Sequence, residues 1–347
     1  MDDDAPPPGG GMDRWDAMVK QFRSLTMFPA CDEVSVKLMK YIFCFLFGGL
    51  SFLSALGDEP VVQKDIVFLG AGRSEKADVY TPPGNHTAPL PAVLMIHGGG
   101  WAAGDKADPR WLSVNTDLAN AGYVVFSINY QLSRWNGNPM HGVPLVWHPG
   151  WPQNIYDCKS ALRFMKKQAA QLGIDPTRIA VMGLSAGGHL ALLVGSTEHV
   201  DDLNSGGLYT DQSNDVSCIV DLYGPPDLSA PDRKKQVVNF SGKTDAETAD
   251  NIRRASPITY IDAKMPPTLI LHGSIDNMVA VDQSRQLADR LKQLGVPYQY
   301  VEIPGMGHGF DLRPKPDRAH PQSMSMDLRP VVFDFLKKYL GEPKSGP

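Results

Sequence analysis

Gly183-Leu184-Ser185-Ala186-Gly187 sets a serine between glycines, directly after the apolar run Ile179-Ala180-Val181-Met182 and before Gly188-His189-Leu190-Ala191-Leu192. A serine at a sharp strand-to-helix turn exposes its Oγ at a helix N-terminus, and the flanking glycines avoid collisions with strand and helix. Ser185 is therefore a candidate nucleophile. A second apolar run, Val93-Leu94-Met95-Ile96, ends in His97-Gly98-Gly99-Gly100-Trp101. A glycine run lets backbone N–H groups turn inward, and acyl transfer through a tetrahedral intermediate needs such donors where charge develops on oxygen. Gly99, Gly100 and Ala186 are the expected donors, although the glycine run alone would read as an ordinary turn.

A nucleophilic serine needs a base, and the base needs a group that orients it. Thr268-Leu269-Ile270-Leu271-His272-Gly273 reads as a strand, and Ser274-Ile275-Asp276-Asn277-Met278-Val279 places Asp276 just beyond it. After the next strand, Pro304-Gly305-Met306-Gly307-His308-Gly309-Phe310 puts His308 in a glycine-flanked loop. The chain order serine, acid, histidine is the one an α/β-hydrolase uses. Both loops follow C-terminal strand ends, the side on which the serine turn opens. Ser185, Asp276 and His308 are expected to converge as nucleophile, orienting acid and general base. Asp221 and Asp227, flanking Gly224-Pro225-Pro226, are the alternative acids but come too early in the strand order. His97 is expected to hold its loop, His189 to pack under the serine turn, and Asp157 and His272 to be structural. No Cys/His spacing suggests a metal site, and neither a metal nor a cofactor is expected.

Around these motifs, β-type runs alternate with helical spacing from residue 58 onward, the pattern of a mostly parallel sheet flanked by helices. Strands are predicted at 65–69, 77–80, 92–96, 123–130, 178–182, 218–223, 268–271 and 298–303, giving an α/β-hydrolase fold with an eight-stranded sheet. Helices are predicted at 154–172, 185–195, 281–294 and 328–340. Two segments break the alternation, 131–153 and 224–265, and are read as small lid insertions. Trp101, Trp147 and Trp151 are candidate substrate-binding residues, since indole faces beside polar groups suit a sugar or aromatic ring. The competing reading is that the tryptophans of 131–153 pin a long loop. The segment 224–265 is highly charged and offers little to line a long-chain trough, so short acyl groups are expected.

The 347 residues are 42% hydrophobic and 20% charged with a net charge of −5, enough to bury a large core and without a basic block that would point to nucleic acid. A small-molecule or polysaccharide ester is the expected partner. Residues 1–38 open acidic and Pro/Gly-rich and are expected to be disordered or an upstream extension. Residues 39–57 carry one lysine, a short apolar run at 42–53 and the small residues Ala55 and Gly57, the pattern of an export signal. A short anchor or a packing arm is the alternative, and stable membrane insertion is not expected because the run is under the ~20 residues a spanning helix needs. Residues 58–347 form the expected catalytic domain, secreted or periplasmic. Its Cys158 and Cys218 read as separate buried thiols in preference to a disulfide. Asn85-His86-Thr87 and Asn239-Phe240-Ser241 match glycosylation acceptors.

Together, HGGGW, GLSAGGHLA, HGSIDNMV and GMGHGF resemble the esterase branch of the α/β hydrolases related to hormone-sensitive lipase, most of all bacterial acetyl-xylan and feruloyl esterases. The resemblance implies a serine esterase with Ser185, Asp276 and His308 as triad and Gly99, Gly100 and Ala186 as oxyanion donors. The acid loop is HGSID where lipase-like members have a DPL-type loop, Trp101 follows the glycines, and the segment 132–153 is longer than expected. These departures tilt toward carbohydrate esters. Two other readings stay open: an amidase similar to aryl-formamidases, which share a histidine–glycine–glycine–tryptophan loop, and a binding protein that has lost catalysis.

Overall fold

The structure is a computed structural model that describes residues 59–141, 143–310, 312–314 and 326–343. The extension at 1–38 and the signal-like segment at 39–57 lie outside the described residues. Strands β1 (Val61–Ile66), β2 (Ala77–Thr81) and β3 (Leu90–Ile96) lead to helix α1 (Pro109–Asn120) and β4 (Val124–Ile128). A hairpin of β5 (Arg134–Asn138) and β6 (Val143–His148) precedes helices α2 (Gln153–Lys167) and α3 (Ala169–Leu172). Strand β7 (Ile174–Leu184) feeds α4 (Ala186–Ser196), the short α5 (Asp201–Asn204) and β8 (Cys218–Leu222). A 3-10 stretch, Pro231–Phe240, and α6 (Asp245–Ala255) come before β9 (Thr268–Gly273), α7 (Asp282–Leu294), β10 (Tyr298–Ile303) and α8 (Arg329–Leu340).

Eight strands form one sheet in the order β1-β2-β4-β3-β7-β8-β9-β10. Only the β1–β2 and β2–β4 pairs are antiparallel. Successive side chains of a strand point to opposite faces, and here both faces are apolar. Ala92, Leu94 and Ile96 of β3 join one core cluster with α2, α4 and α7, whereas Val93 and Met95 join a second with α1 and α8. The unbroken apolar runs of the central strands follow from this double coverage. Cys158 and Cys218 are free buried thiols in different clusters, as the sequence suggests.

Chain progression reverses between β3 and β7, because β4 lies on one side of β3 and β8 on the far side of β7. A crevice at the carboxyl ends of the strands is expected at such a switch point. Ile96 is in register with Gly183, so the glycine loop after β3 and the serine turn after β7 leave the sheet side by side.

Four features differ from the expectation. Helix α1 is present because Trp111, Val114 and Leu118 form one buried stripe behind a proline in the first turn. Helix α6 starts at an N-cap, Thr244 Oγ1 accepting from Glu247 N at 3.1 Å, while Glu247 Oε2 accepts from the preceding Lys243 N at 2.7 Å. The β5–β6 hairpin stands in the segment 131–153, which is read from sequence as a lid insertion without assigned strands. Edge strand β1 lies earlier than expected, since it is largely exposed and the buried pair Phe68 and Leu69 follows it in a loop. Among the described residues, no helix is long and apolar enough to cross a membrane.

Candidate active site

Ser185 has φ 55° and ψ −118°, a region that costs a non-glycine residue on the order of 1–3 kcal/mol unless neighbours over-determine it. Here Ser185 N donates to Leu222 O at 2.8 Å and Ser185 O accepts from His189 N at 3.0 Å. The turn also passes close to β3: a Cβ on Gly187 would stand 2.1 Å from Ile96 O. Only glycine fits there, which is the physical content of the motif's last position.

The structure brings the three expected side chains together. His308 Nε2 lies 2.9 Å from Ser185 Oγ, and His308 Nδ1 lies 2.6 Å from Asp276 Oδ2. Since a carboxylate only accepts, Nδ1 carries the proton and Nε2 is free to accept from the hydroxyl. Asp276 Oδ1 accepts from Met278 N at 2.8 Å and Val279 N at 2.9 Å. Burial alone would push this carboxyl up, but hydrogen bonds from His272 and His308 and the backbone N–H of Val279 outweigh it, so Asp276 is held far below the usual carboxylate range. The Tyr223 ring stands edge-on to His308 at 4.7 Å, and its hydroxyl donates to Phe310 O at 2.8 Å.

The glycine loop is shaped by what its carbonyls accept. His97 Nδ1 donates to Gly98 O at 2.6 Å, and Ala102 N and Ala103 N donate to Gly99 O at 3.2 and 3.0 Å. In a planar trans peptide the following N–H points opposite the carbonyl. The N–H groups of Gly99 and Gly100 are thus directed away from those partners. Gly99 and Gly100 have φ of 117° and 60°, and a Cβ on Gly99 would stand 2.0 Å from Ala103 O. His97 holds its loop as expected, stacked on Tyr130 with ring centroids 4.5 Å apart. Ala186 is the first residue of α4, directly after Ser185.

The alternative acids are engaged elsewhere. Asp227 Oδ1 accepts from Ser229 N at 2.8 Å and Ser229 Oγ at 2.6 Å. Asp221 is fully buried beneath the serine turn, accepts from Gly224 N at 2.9 Å, and is pushed up by burial to about 8. The folded chain therefore keeps a proton that an unfolded aspartic acid releases near pH ~4. With more protons bound in the native state, stability falls as pH rises between those two values. Asp221→Asn should gain on the wild type by about 1.4 kcal/mol per pH unit across that window and level off above pH 8. Thermal unfolding at pH 5, 6.5 and 8 checks this, and a pH-independent difference would contradict it.

Of the four tryptophans near the site, two are packed inside. Trp101 is 2% exposed, donates from Nε1 to His189 Nδ1 at 3.1 Å and meets Phe240 at 5.2 Å. Trp151 is also buried and lies 5.9 Å from Phe240. Trp101 and Trp151 thus sit in an aromatic cluster without an open face. His189 completes this cluster under the turn: Nε2 donates to Ala255 O at 2.6 Å, and burial lowers its pKa to about 4. Trp147 is half-buried on β6, donates from Nε1 to Val238 O at 2.9 Å and pairs with the 62% exposed Trp135 at 5.2 Å. The hairpin neck is fixed to the glycine loop, with Ser133 N donating to Trp101 O and Gly150 N to Ser133 Oγ, both at 2.8 Å.

Residues that pattern reading passed over also shape the site. Arg233, which looks like part of a solvated charged run, is buried and donates to Met278 O in the acid loop. Asn239 is buried and donates to Gly100 O at 3.3 Å, so it does not suit glycosylation in the folded chain. Asn85 is exposed. Among the described residues, no group of three or more His, Cys, Asp or Glu side chains is placed to hold a metal ion.

The BD-FAE family matches residues 77–291, more than half of the chain and including the serine turn, the glycine loop and the acid loop. The chain belongs to the BD-FAE family. Esterase LipC of Mycobacterium tuberculosis is 32% identical over 266 residues, covering 74% of this chain and 62% of LipC. The chain thus spans less than two thirds of that relative. A structure of a truncated carbohydrate esterase from gut microbiota superposes with a TM-score of 0.65 at 26% identity, covering 82% of this chain and 98% of that one. A bifunctional GH43-CE protein of Bacteroides eggerthii superposes with a TM-score of 0.64 at 25% identity, covering 81% of this chain and 38% of that one. Membership of this family bears out the kinship with α/β-hydrolase esterases that the motifs suggest.

Proposed function

We propose that this BD-FAE member is a serine carboxylesterase that hydrolyses short acyl esters through an acyl-enzyme. The observation that carries the reading is the continuous chain Ser185 Oγ, His308 Nε2, His308 Nδ1, Asp276 Oδ2, with contacts of 2.9 and 2.6 Å. His308 takes the Ser185 proton as Oγ attacks the ester carbonyl, and the N–H groups of Gly99, Gly100 and Ala186 receive the developing oxyanion. The imidazolium, held by Asp276, then protonates the leaving alcohol. Water, deprotonated by His308, attacks the acyl-enzyme and releases the acid with Ser185 restored. In this reading residues 58–347 are the catalytic domain and 39–57 an export signal. A carbohydrate alcohol is supported by the gut-microbiota relative, which is described as a carbohydrate esterase. Trp147, beside the exposed Trp135, is the aromatic face offered to it.

A p-nitrophenyl ester series from acetate to palmitate tests the acyl preference: kcat/KM should peak at acetate to butyrate, and a peak at octanoate or beyond contradicts it. Trp147→Ala, assayed on p-nitrophenyl acetate and acetylated xylan, should lose more on the polymer.

A further inference from the structure

The mechanism above gives His272 no part, yet this fully buried side chain touches the acid. Its Nδ1 lies 2.6 Å from Ser284 Oγ on α7, and its Nε2 lies 3.0 Å from Val279 O and 3.2 Å from Asp276 Oδ2. A carbonyl and a carboxylate only accept, so Nε2 carries a proton, and in the Nε2–H tautomer Nδ1 accepts from the Ser284 hydroxyl. The one Nε2 proton is then shared between Val279 O, its nearer acceptor, and Asp276 Oδ2, which also receives His308 Nδ1–H, while Oδ1 receives the two backbone N–H groups of the acid loop.

We propose that His272, held in its Nε2–H tautomer by Ser284, is a positioning residue that fixes the Asp276 carboxylate and shares its charge, and so sets how firmly His308 is held as a base. The inference rests on the triad reading. The backbone donors secure Oδ1 alone, and the last torsion of an aspartate is broad. Without His272, Oδ2 would be held only by the histidine it has to orient. Removing a donor also concentrates negative charge on Oδ2, which favours the protonated form of His308. Other polar and charged groups around this chain have partners of their own. Glu302, in register with His272 across β9 and β10, is bound to Arg285. Asp232 accepts from Ala280 N, Arg233 donates to Met278 O, and the Tyr223 hydroxyl is committed to Phe310 O.

The test is the pH profile of kcat/KM on p-nitrophenyl acetate for wild type, His272→Ala, His272→Gln and Ser284→Ala. His272→Ala should lose about 10-fold in kcat/KM, with the acidic limb moving up by about half a pH unit. Ser284→Ala should move the limb the same way by less. His272→Gln, whose amide N–H replaces the donor, should keep the limb in place. An unmoved limb in His272→Ala, or in Ser284→Ala if the former does not fold, overturns the proposal whatever the loss of rate. Equal shifts in His272→Gln and His272→Ala overturn it too. A wild type without Ser185-dependent ester hydrolysis defeats the triad reading and this inference with it, a result distinct from an unmoved limb.

Discussion

Ser185→Ala should lower kcat/KM on p-nitrophenyl acetate by ~10⁴ to 10⁶-fold and leave the melting temperature nearly unchanged. Alanine accepts the same backbone as serine, and the contacts that hold the turn, Ser185 N to Leu222 O and His189 N to Ser185 O, are made by the main chain. What is lost is the Oγ atom. The donors of the glycine loop would remain, which is why some rate over water is expected to survive. Labelling by a fluorophosphonate should vanish in the same variant. Labelling or hydrolysis at wild-type level would place the nucleophile elsewhere.

Asp276→Asn should cost ~10⁴-fold, with Asp221→Asn and Asp227→Asn close to wild type. The carbonyl of the asparagine can take the two backbone N–H groups now received by Oδ1, which leaves its NH₂ facing His308. His308 Nδ1 must then accept, its proton moves to Nε2, and the ring can no longer take the serine proton. A dead Asp221→Asn beside an active Asp276→Asn would reverse the assignment of the acid.

The central part of this molecule is legible in sequence because burial on two faces leaves mostly apolar residues in β3, β8, β9 and the second half of β7, with Asp221 and His272 as buried exceptions. Such runs are visible without knowing which side chain faces which layer. The turns that follow them are legible because close approach admits only glycine, as at Gly187 against Ile96 O. Helix α6 is harder to see: the capping signal at Thr244 and Glu247 is present, but only Ala255 of its residues is buried, so no apolar stripe repeats. The hairpin is harder still, with Pro144 inside a strand and side chains exposed on both faces. The position of Arg233 follows from a contact with a segment far along the chain, and a buried charge inside a charged run has no local signature.

The β5–β6 hairpin enters and leaves the domain through a neck closed by the hydrogen bond from Gly150 N to Ser133 Oγ. Beyond that neck its apolar side chains are largely exposed, Met140 at 94% and Leu145 at 54%, and its strands pair only with each other. The segment is therefore an exchangeable part. Residues 134–148 can be lengthened, shortened or replaced while the sheet, the serine turn and the acid loop keep every hydrogen bond described for them. Its tie beyond the neck, from Trp147 to Val238 O, ends on the 3-10 stretch Pro231–Phe240 and not on the sheet. Relatives that share this machinery are free to diverge in what they recognise by changing one small projection, and an engineer grafting a new recognition surface would begin at Ser133 and end at Gly150.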